Sequence, residues 1–308
     1  MKYKLPSVKT TRRPSCWRCI LAISTTFVIN STLALSQEPP DRTTPTGQQI
    51  VTQAAAQMTL HPSLEAKVRQ RVGIRDQYMV GSGAYLQLRY GEDVRFRLEL
   101  RLQVGDQLTS LQHITDNRYL YIRRDTGNTK SISRIDLKRV QTARGEADRN
   151  NAARHYGSLG VGGLSQLLHG LAENFVFEDP ESATISGVNV WRMNGAWKPE
   201  MLAKLLPEQG ETILAGQLPT PGSLPLQLPD QVSLVVGRDE PLPLFPYRVE
   251  FSRYDSDVNQ RRSMLIMELF EVRLRPDLDP RHFEVPDNEQ DLVDETDAYL
   301  RKHGLVSS

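Results

Sequence analysis

VRFRLELRLQV, residues 94–104, decides the fold of this 308-residue chain. Val94, Phe96, Leu98, Leu100, Leu102 and Val104 alternate with Arg95, Arg97, Glu99, Arg101 and Gln103. Such alternation is the period-2 pattern of a β-strand with one dry and one wet face; on a helix these charges would fall on every side. At about 3.4 Å per residue the stretch reaches about 37 Å, where a common strand has about five or six residues. A strand of that length fits a large curved sheet or barrel. The functional question is then what covers the dry face, packed side chains or a ligand.

The flanking segments extend the pattern. Upstream, Leu64, Ala66, Val68, Val72 and Ile74 alternate with Glu65, Lys67, Arg69 and Arg71. Residues 78–90 (YMVGSGAYLQLRY) continue as a strand, in which Gly81 and Gly83 signal a bulge or a strong bend. Downstream, residues 108–114, 119–123 and 131–137 read as strands joined by short turns, one of them Asp125-Thr126-Gly127-Asn128. An antiparallel meander of about six strands follows. Before it, Ile50, Val51, Ala54, Ala55 and Met58 fall at helical spacing, which predicts a helix over 46–58.

Beyond the meander the pattern changes. Residues 139–155 are polar and read as a loop or an exposed helix. Gly160-Val161-Gly162-Gly163 reads as a hinge or helix entry and leads into Leu164, Leu167, Leu168 and Leu171, an i, i+3, i+4, i+7 stripe. Strands resume at 175–177 and 184–193, broken at Ser186-Gly187, and a short helix is expected over 198–206. A proline-rich loop over 218–229 precedes strands at 232–236, 247–251 and 264–274. Residues 276–286 form a turn and short extension, and Leu292, Val293, Thr296, Tyr299 and Leu300 predict a final amphipathic helix.

The first residues have a different character. Lys2, Lys4, Lys9, Arg12, Arg13 and Arg18 precede a short apolar run, residues 20–29, and Ala34-Leu35-Ser36 offers small residues for a cut before Gln37. That order is a secretory signal peptide over 1–36, followed by a polar tether over 37–47. Read instead as an anchor, the run falls short of the roughly 20 residues that span a bilayer. Arg12-Arg13 leaves the general and the twin-arginine export routes both open. Cys16 and Cys19 are the chain's two cysteines, so the exported part has none and uses neither disulfides nor thiolates. A net charge of +1 gives no reason to expect nucleic acid, and 39% hydrophobic residues with a mean hydropathy of -0.45 are ordinary for a globular chain.

The search for reaction chemistry yields little. His61, His113, His155, His169, His282 and His303 include no pair at i, i+3 or i, i+4, so no metal site is expected. Gly163-Leu164-Ser165-Gln166-Leu167 lacks the second glycine of a nucleophile elbow, and the glycine run ahead of it lacks the Gly-Lys-Ser/Thr of a phosphate loop. Asp277, Asp279 and Glu284 read as solvated turn residues. The aromatic residues Tyr78, Tyr85, Tyr119, Tyr121, Trp191, Trp197, Phe245 and Tyr247 are spread over many strands and fit either a core or a pocket. No catalytic residue, metal or cofactor is expected, and the chain is read as no enzyme.

The closing stretch is the most specific. Residues 267–286 (MELFEVRLRPDLDPRHFEVP), with 185–191 (ISGVNVW) and 245–250 (FPYRVE), resemble the LolA-like superfamily of lipoprotein and lipid carriers of the bacterial envelope. The first of these is similar to the family's last long strand, Pro/Asp turn and short Phe-x-x-Pro strand. The resemblance covers about residues 46–286. It implies an α+β fold, a large curved antiparallel sheet forming an incomplete β-barrel with helices on its concave face. The domain would run over 48–308, with an insertion at about 139–229 that is long and proline-rich beside the compact carriers. It further implies a half-barrel cavity for the acyl chains of a lipid or lipoprotein, serving transport or sorting in the periplasm or envelope. On that reading Phe96, Leu98, Leu100, Leu102, Val249 and Phe251 line the cavity, and the stripe Leu164, Leu167, Leu168 and Leu171 is its lid. No residue matches the family's cavity arginine. A second reading on the same fold is a sensor that binds a membrane-anchored protein partner. A monomer is expected.

Overall fold

A computed structural model describes residues 44–308 apart from 75–76, 92, 105–106, 148–162, 221, 256–258, 286–290, 304 and 306–308. The leader, its cleavage position and Gly160 and Gly162 therefore lie outside the described residues.

The chain enters through α1 (Gly47–Met58), whose first turn is closed by a capping box. The amide N–H of Gln49 donates to Thr46 Oγ1 at 3.3 Å, and that of Thr46 donates to Gln49 Oε1 at 2.9 Å. The meander follows as β1 (Leu64–Ile74), β2 (Gln77–Tyr90), β3 (Asp93–Val104), β4 (Gln107–Thr115), β5 (Tyr119–Asp125) and β6 (Lys130–Asp136). Then come α2 (Leu137–Ala147), α3 (Gly163–Asn174), β7 (Phe175–Phe177), β8 (Glu181–Ile185) and β9 (Val188–Trp197). Two short helices, α4 (Pro199–Leu205) and α5 (Gly210–Leu214), lead to β10 (Gln231–Gly237), β11 (Pro246–Asp255) and β12 (Gln260–Leu274). The chain closes with β13 (Leu292–Asp294) and α6 (Thr296–Lys302).

All these strands form one sheet in the order β13-β6-β5-β4-β3-β2-β1-β12-β11-β10-β9-β7, with β8 also on β9. The order does not return on itself, so this is an α+β fold built on a curved open sheet, as the long alternating strand implies. The sheet is mixed: β13 runs parallel to β6, while every other pairing among the described strands is antiparallel.

One face is covered by helices. The apolar stripe of α1 (Ile50, Val51, Ala54, Ala55 and Met58) and the four leucines of α3 are all buried. The two helices run antiparallel, because Gln48 Nε2 donates to the Ala172 carbonyl at 3.0 Å while Ser165 Oγ donates to the Ala55 carbonyl at 3.4 Å. Small alanines on α1 let the backbones approach that closely.

The opposite face has a small core of its own. Leu86 pairs with Arg97 and Arg97 with Ile114, so these side chains share the charged face of β3. Leu88, Ile114, Leu278 and Phe283 are buried there, with Leu86 and Val285 against them. The segment after β12 thus straps across the outer face, held also by Arg97 donating to the His282 carbonyl at 2.7 Å.

Several expectations are corrected. Gly81 and Gly83 make no bulge: they stay in register opposite Leu102 and Leu100. A side chain at Gly83 would overlap the Glu99 carbonyl, so glycine serves close approach of the backbones. Register shifts lie instead between Glu65 and Lys67, opposite Glu271 at φ 49°, and at Val235/Val236 and Phe251/Ser252. Residues 283–285 form no strand, because Phe283 ends a 3-10 turn, Pro280–Phe283, capped by Asp279, and residue 286 lies outside the described residues. The final helix starts at Thr296, since Leu292 and Val293 hydrogen-bond to the edge of β6. Of the polar stretch 139–155, the described part to Ala147 is the helix of the two alternatives, but it is not wholly exposed, because it buries Val140 and Ala143.

Candidate ligand-binding site

The dry face of β3 follows from register. Phe96 lies opposite Gln87, which lies opposite Leu64; the next rows are Leu98, Tyr85, Ala66 and Leu100, Gly83, Val68. Phe96, Leu98 and Leu100 are 4–6% exposed. They join Val249 and Phe251 of β11 and all four α3 leucines in one continuous apolar cluster. Leu102 does not join it; it is half-buried on the same face. The row Val249, Met267, Gln70, Gly81, Leu102 shows how far apart the set lies. Four strand spacings of about 4.8 Å separate β11 from β3, about 19 Å in all. The sequence-derived residues therefore share a face and a core without converging on one point.

The contact between sheet and α3 is tightest at Gly163. This residue has φ +64°, and a Cβ there would lie 2.9 Å from Phe96 Cδ1. Glycine is required at this helix entry for conformation and for space, which gives the hinge residue a packing role.

Beside this contact lies a cleft of about 220 Å³, between the end of α1, the starts of α2 and α3, and strands β2–β4. Phe96 belongs both to it and to the apolar cluster. Its other walls include Tyr85, Gln87, Thr115, Gln141 and Gln166. Tyr85, Gln87 and Thr115 are nearly fully buried and hydrogen-bonded. The Tyr85 hydroxyl donates to Gln87 Oε1 at 3.0 Å, and Gln87 Nε2 donates to the Met58 carbonyl at 3.1 Å. Thr115 Oγ1 accepts from the Phe96 N–H at 2.9 Å. Burial holds the Tyr85 phenol well above its ordinary pKa, so it stays neutral and remains a donor.

Sequence reasoning named Tyr85 among aromatics of either role and missed Gln87 and Thr115. A signal was present: Gln87 is in phase with Tyr85 and Gly83, a polar side chain on the dry phase of its strand.

Two further clefts lie elsewhere. One of about 520 Å³ includes Leu100 among mostly polar and charged walls such as Glu99, Gln112 and Arg123. The other, of about 680 Å³, is bounded by Ile185, Val188, Val235, Phe270, Arg69 and Glu268. Arg69 stands 5.2 Å from the centre of the Phe270 ring, and Ile185 and Val188 are exposed there.

Two histidines face inward. His61 is buried, its pKa lowered by burial and partly restored by a bond to the Pro243 carbonyl. His113 shares the inner row of Leu98, Ile122 and Ser133; burial, helped by the Arg124 charge, lowers it to about 4. Among the described residues no group of three or more His, Cys, Asp or Glu is placed to hold a metal ion.

No protein-family model and no curated protein sequence matches the chain. The chain is similar to a DUF1329 family protein from Desulfovibrio piger, at 8% identity and TM-score 0.35 over 77% of this chain and 95% of that one. It is similar to a putative outer membrane lipoprotein-sorting protein domain from Vibrio parahaemolyticus, at 10% and 0.30 over 77% and 96%. It is similar to the Mycobacterium tuberculosis lipoprotein LppX, at 10% and 0.35 over 73% and 93%.

Proposed function

We propose that this protein is an exported cell-envelope protein that binds acyl chains of a lipid or lipoprotein between α3 and the sheet, for transport or sorting. The observation that carries this reading is the double position of Phe96. It floors a cleft open to solvent and is also part of the apolar layer under the α3 leucines. An amphiphile seated in the cleft has its tail directed at that layer.

The magnitudes are compatible. Lifting four buried leucines off the sheet costs on the order of 6–12 kcal/mol, at about 1.5–3 kcal/mol each. Roughly 8–15 methylenes entering the same space, at about 0.8 kcal/mol each, offset that cost. A single ordinary acyl chain is therefore sufficient to hold α3 open and allows it to close on release.

Native mass spectrometry of protein purified from cells tests the reading. The expected result is a bound species of lipid mass. Lipid-free protein that also fails to take up both a fluorescent fatty acid and a fluorescent monoacylglycerol would overturn it. The basic, apolar and small-residue order of residues 1–36 supports export with cleavage near Ser36, which N-terminal sequencing checks.

A second reading, a sensor that binds a protein partner, is favoured by the outer cleft. Exposed Ile185 and Val188 border it between Arg69, Arg248, Glu268 and Glu271. Ile185→Asp with Val188→Asp would abolish partner capture under this reading and leave lipid uptake intact.

A further inference from the structure

The cleft at Phe96 has a chemical selectivity that its position alone does not convey. None of its described lining residues carries a charge, in a chain where 24% of residues are Asp, Glu, Lys or Arg. The walls consist instead of amides, hydroxyls and apolar surface. Three of the polar side chains, Tyr85, Gln87 and Thr115, are 2–3% exposed and held in place by the bonds described above.

Their remaining capacity is that of neutral donors and acceptors. A side-chain amide offers two N–H groups, and Gln87 uses one on Met58. The Thr115 hydroxyl reaches the Phe96 carbonyl only at 3.5 Å, so its hydrogen is free to turn to a better acceptor. Gln141 and Gln166 bring two further amides to the rim. At about 30 Å³ per water, the cleft holds the volume of roughly seven waters, the size of a glyceryl ester and too small for a sugar chain. An anionic group placed here would lose hydration without gaining a cation, which disfavours it.

We propose that this cleft selects acyl ligands by an uncharged hydrogen-bonding headgroup, a glyceryl ester or similar hydroxyl- and carbonyl-bearing group, and discriminates against carboxylate and phosphate. The inference rests on the acyl-binding reading above and adds the class of ligand.

The test compares three probes of equal chain length on the full mature protein: 1-palmitoylglycerol, palmitate and 1-palmitoylglycerol 3-phosphate. The neutral ester should bind at least tenfold more tightly than either anion. Gln87→Leu should reduce that preference at least threefold. Because Gln87 also bonds α1 and its loss risks the fold, the half-exposed rim variant Gln166→Lys serves as a second measure. It supplies the missing cation and should raise affinity for the phosphate probe at least threefold, with the neutral ester unchanged. Anions binding as well as or better than the ester, or a Gln166→Lys variant with no gain for phosphate, would overturn the headgroup proposal while the acyl-binding reading stands. Failure of all three probes to bind would overturn that reading, and this proposal with it.

Discussion

Gly163 meets the ring of Phe96 so closely that a single methyl group at the glycine would lie 2.9 Å from Cδ1. The first residue of α3 and the inner strand β3 are thereby in contact through backbone on one side and an aromatic ring on the other. Gly163→Ala combines a positive φ with this overlap, so it should destabilise the protein by about 1–3 kcal/mol. Thermal unfolding measures the loss. Hydrogen exchange should show α3 opening more readily in the variant, with β3 unchanged. An unchanged melting point would mean that α3 does not press on Phe96 in solution.

Added volume separates packed from open positions on β3. Leu98→Trp falls inside the cluster and should cost about 1–3 kcal/mol in lipid-free protein. Leu102→Trp, half-buried and outside the cluster, should change stability by less than about 0.5 kcal/mol. Denaturant unfolding of both variants, beside a fatty-acid titration, checks this. Equal costs at the two positions would contradict the graded burial.

His113 should make stability depend on pH. Its folded pKa of about 4 lies below the ordinary 6.5, so the unfolded chain takes up the proton first as pH falls. The contribution of neutral His113 is thus fully present above pH 6.5 and is lost progressively toward pH 4. The loss amounts to about 2–3 kcal/mol, less whatever relaxation recovers. His113→Gln should flatten the fall between pH 6.5 and 4, measured as unfolding midpoint against pH. His61 is lowered in the same direction and leaves a smaller residual slope.

Phe283 should matter to stability and not to ligand uptake. It is 1% exposed in the outer-face core, across the sheet from the helices. Phe283→Ala should cost about 3–5 kcal/mol by the cavity it leaves. Fatty-acid affinity of the folded fraction should stay the same; a matching loss of affinity would tie the two faces together.

The strands were legible because their signal is local. The alternation in residues 94–104 places β3 (Asp93–Val104) within a residue at its start and fixes which side chains face inward. The α3 leucines were legible for the same reason, at the helical period. What could not be read was the phase of neighbouring strands. Leu86 and Leu88 look like inward residues, yet register with Arg97 and Arg95 turns them outward and sends Gln87 in. Their outward burial depends on Leu278 and Phe283, almost 200 positions away in the chain, and no local period carries that information. The uncharged cleft was hidden for a related reason: Gln87, Thr115, Gln141 and Gln166 lie on four separate elements and meet only in space. The strand over 292–294 was read as helix because Leu292, Val293 and Thr296 also satisfy helical spacing, and the free edge of β6 decides between the two.

The parallel pairing of β13 with β6 has a consequence for how copies of this chain meet. A bare β6 would present a row of unpaired amides and carbonyls to any passing strand. Leu292–Asp294 occupies that row, and Arg134 and Asp294 clamp it with an ion pair at 3.1 Å. At the other margin, no described strand covers the far edge of β8, where Ile185 is 46% exposed. A passing strand therefore meets an edge of only three residues at one end of the sheet and one of five residues at the other.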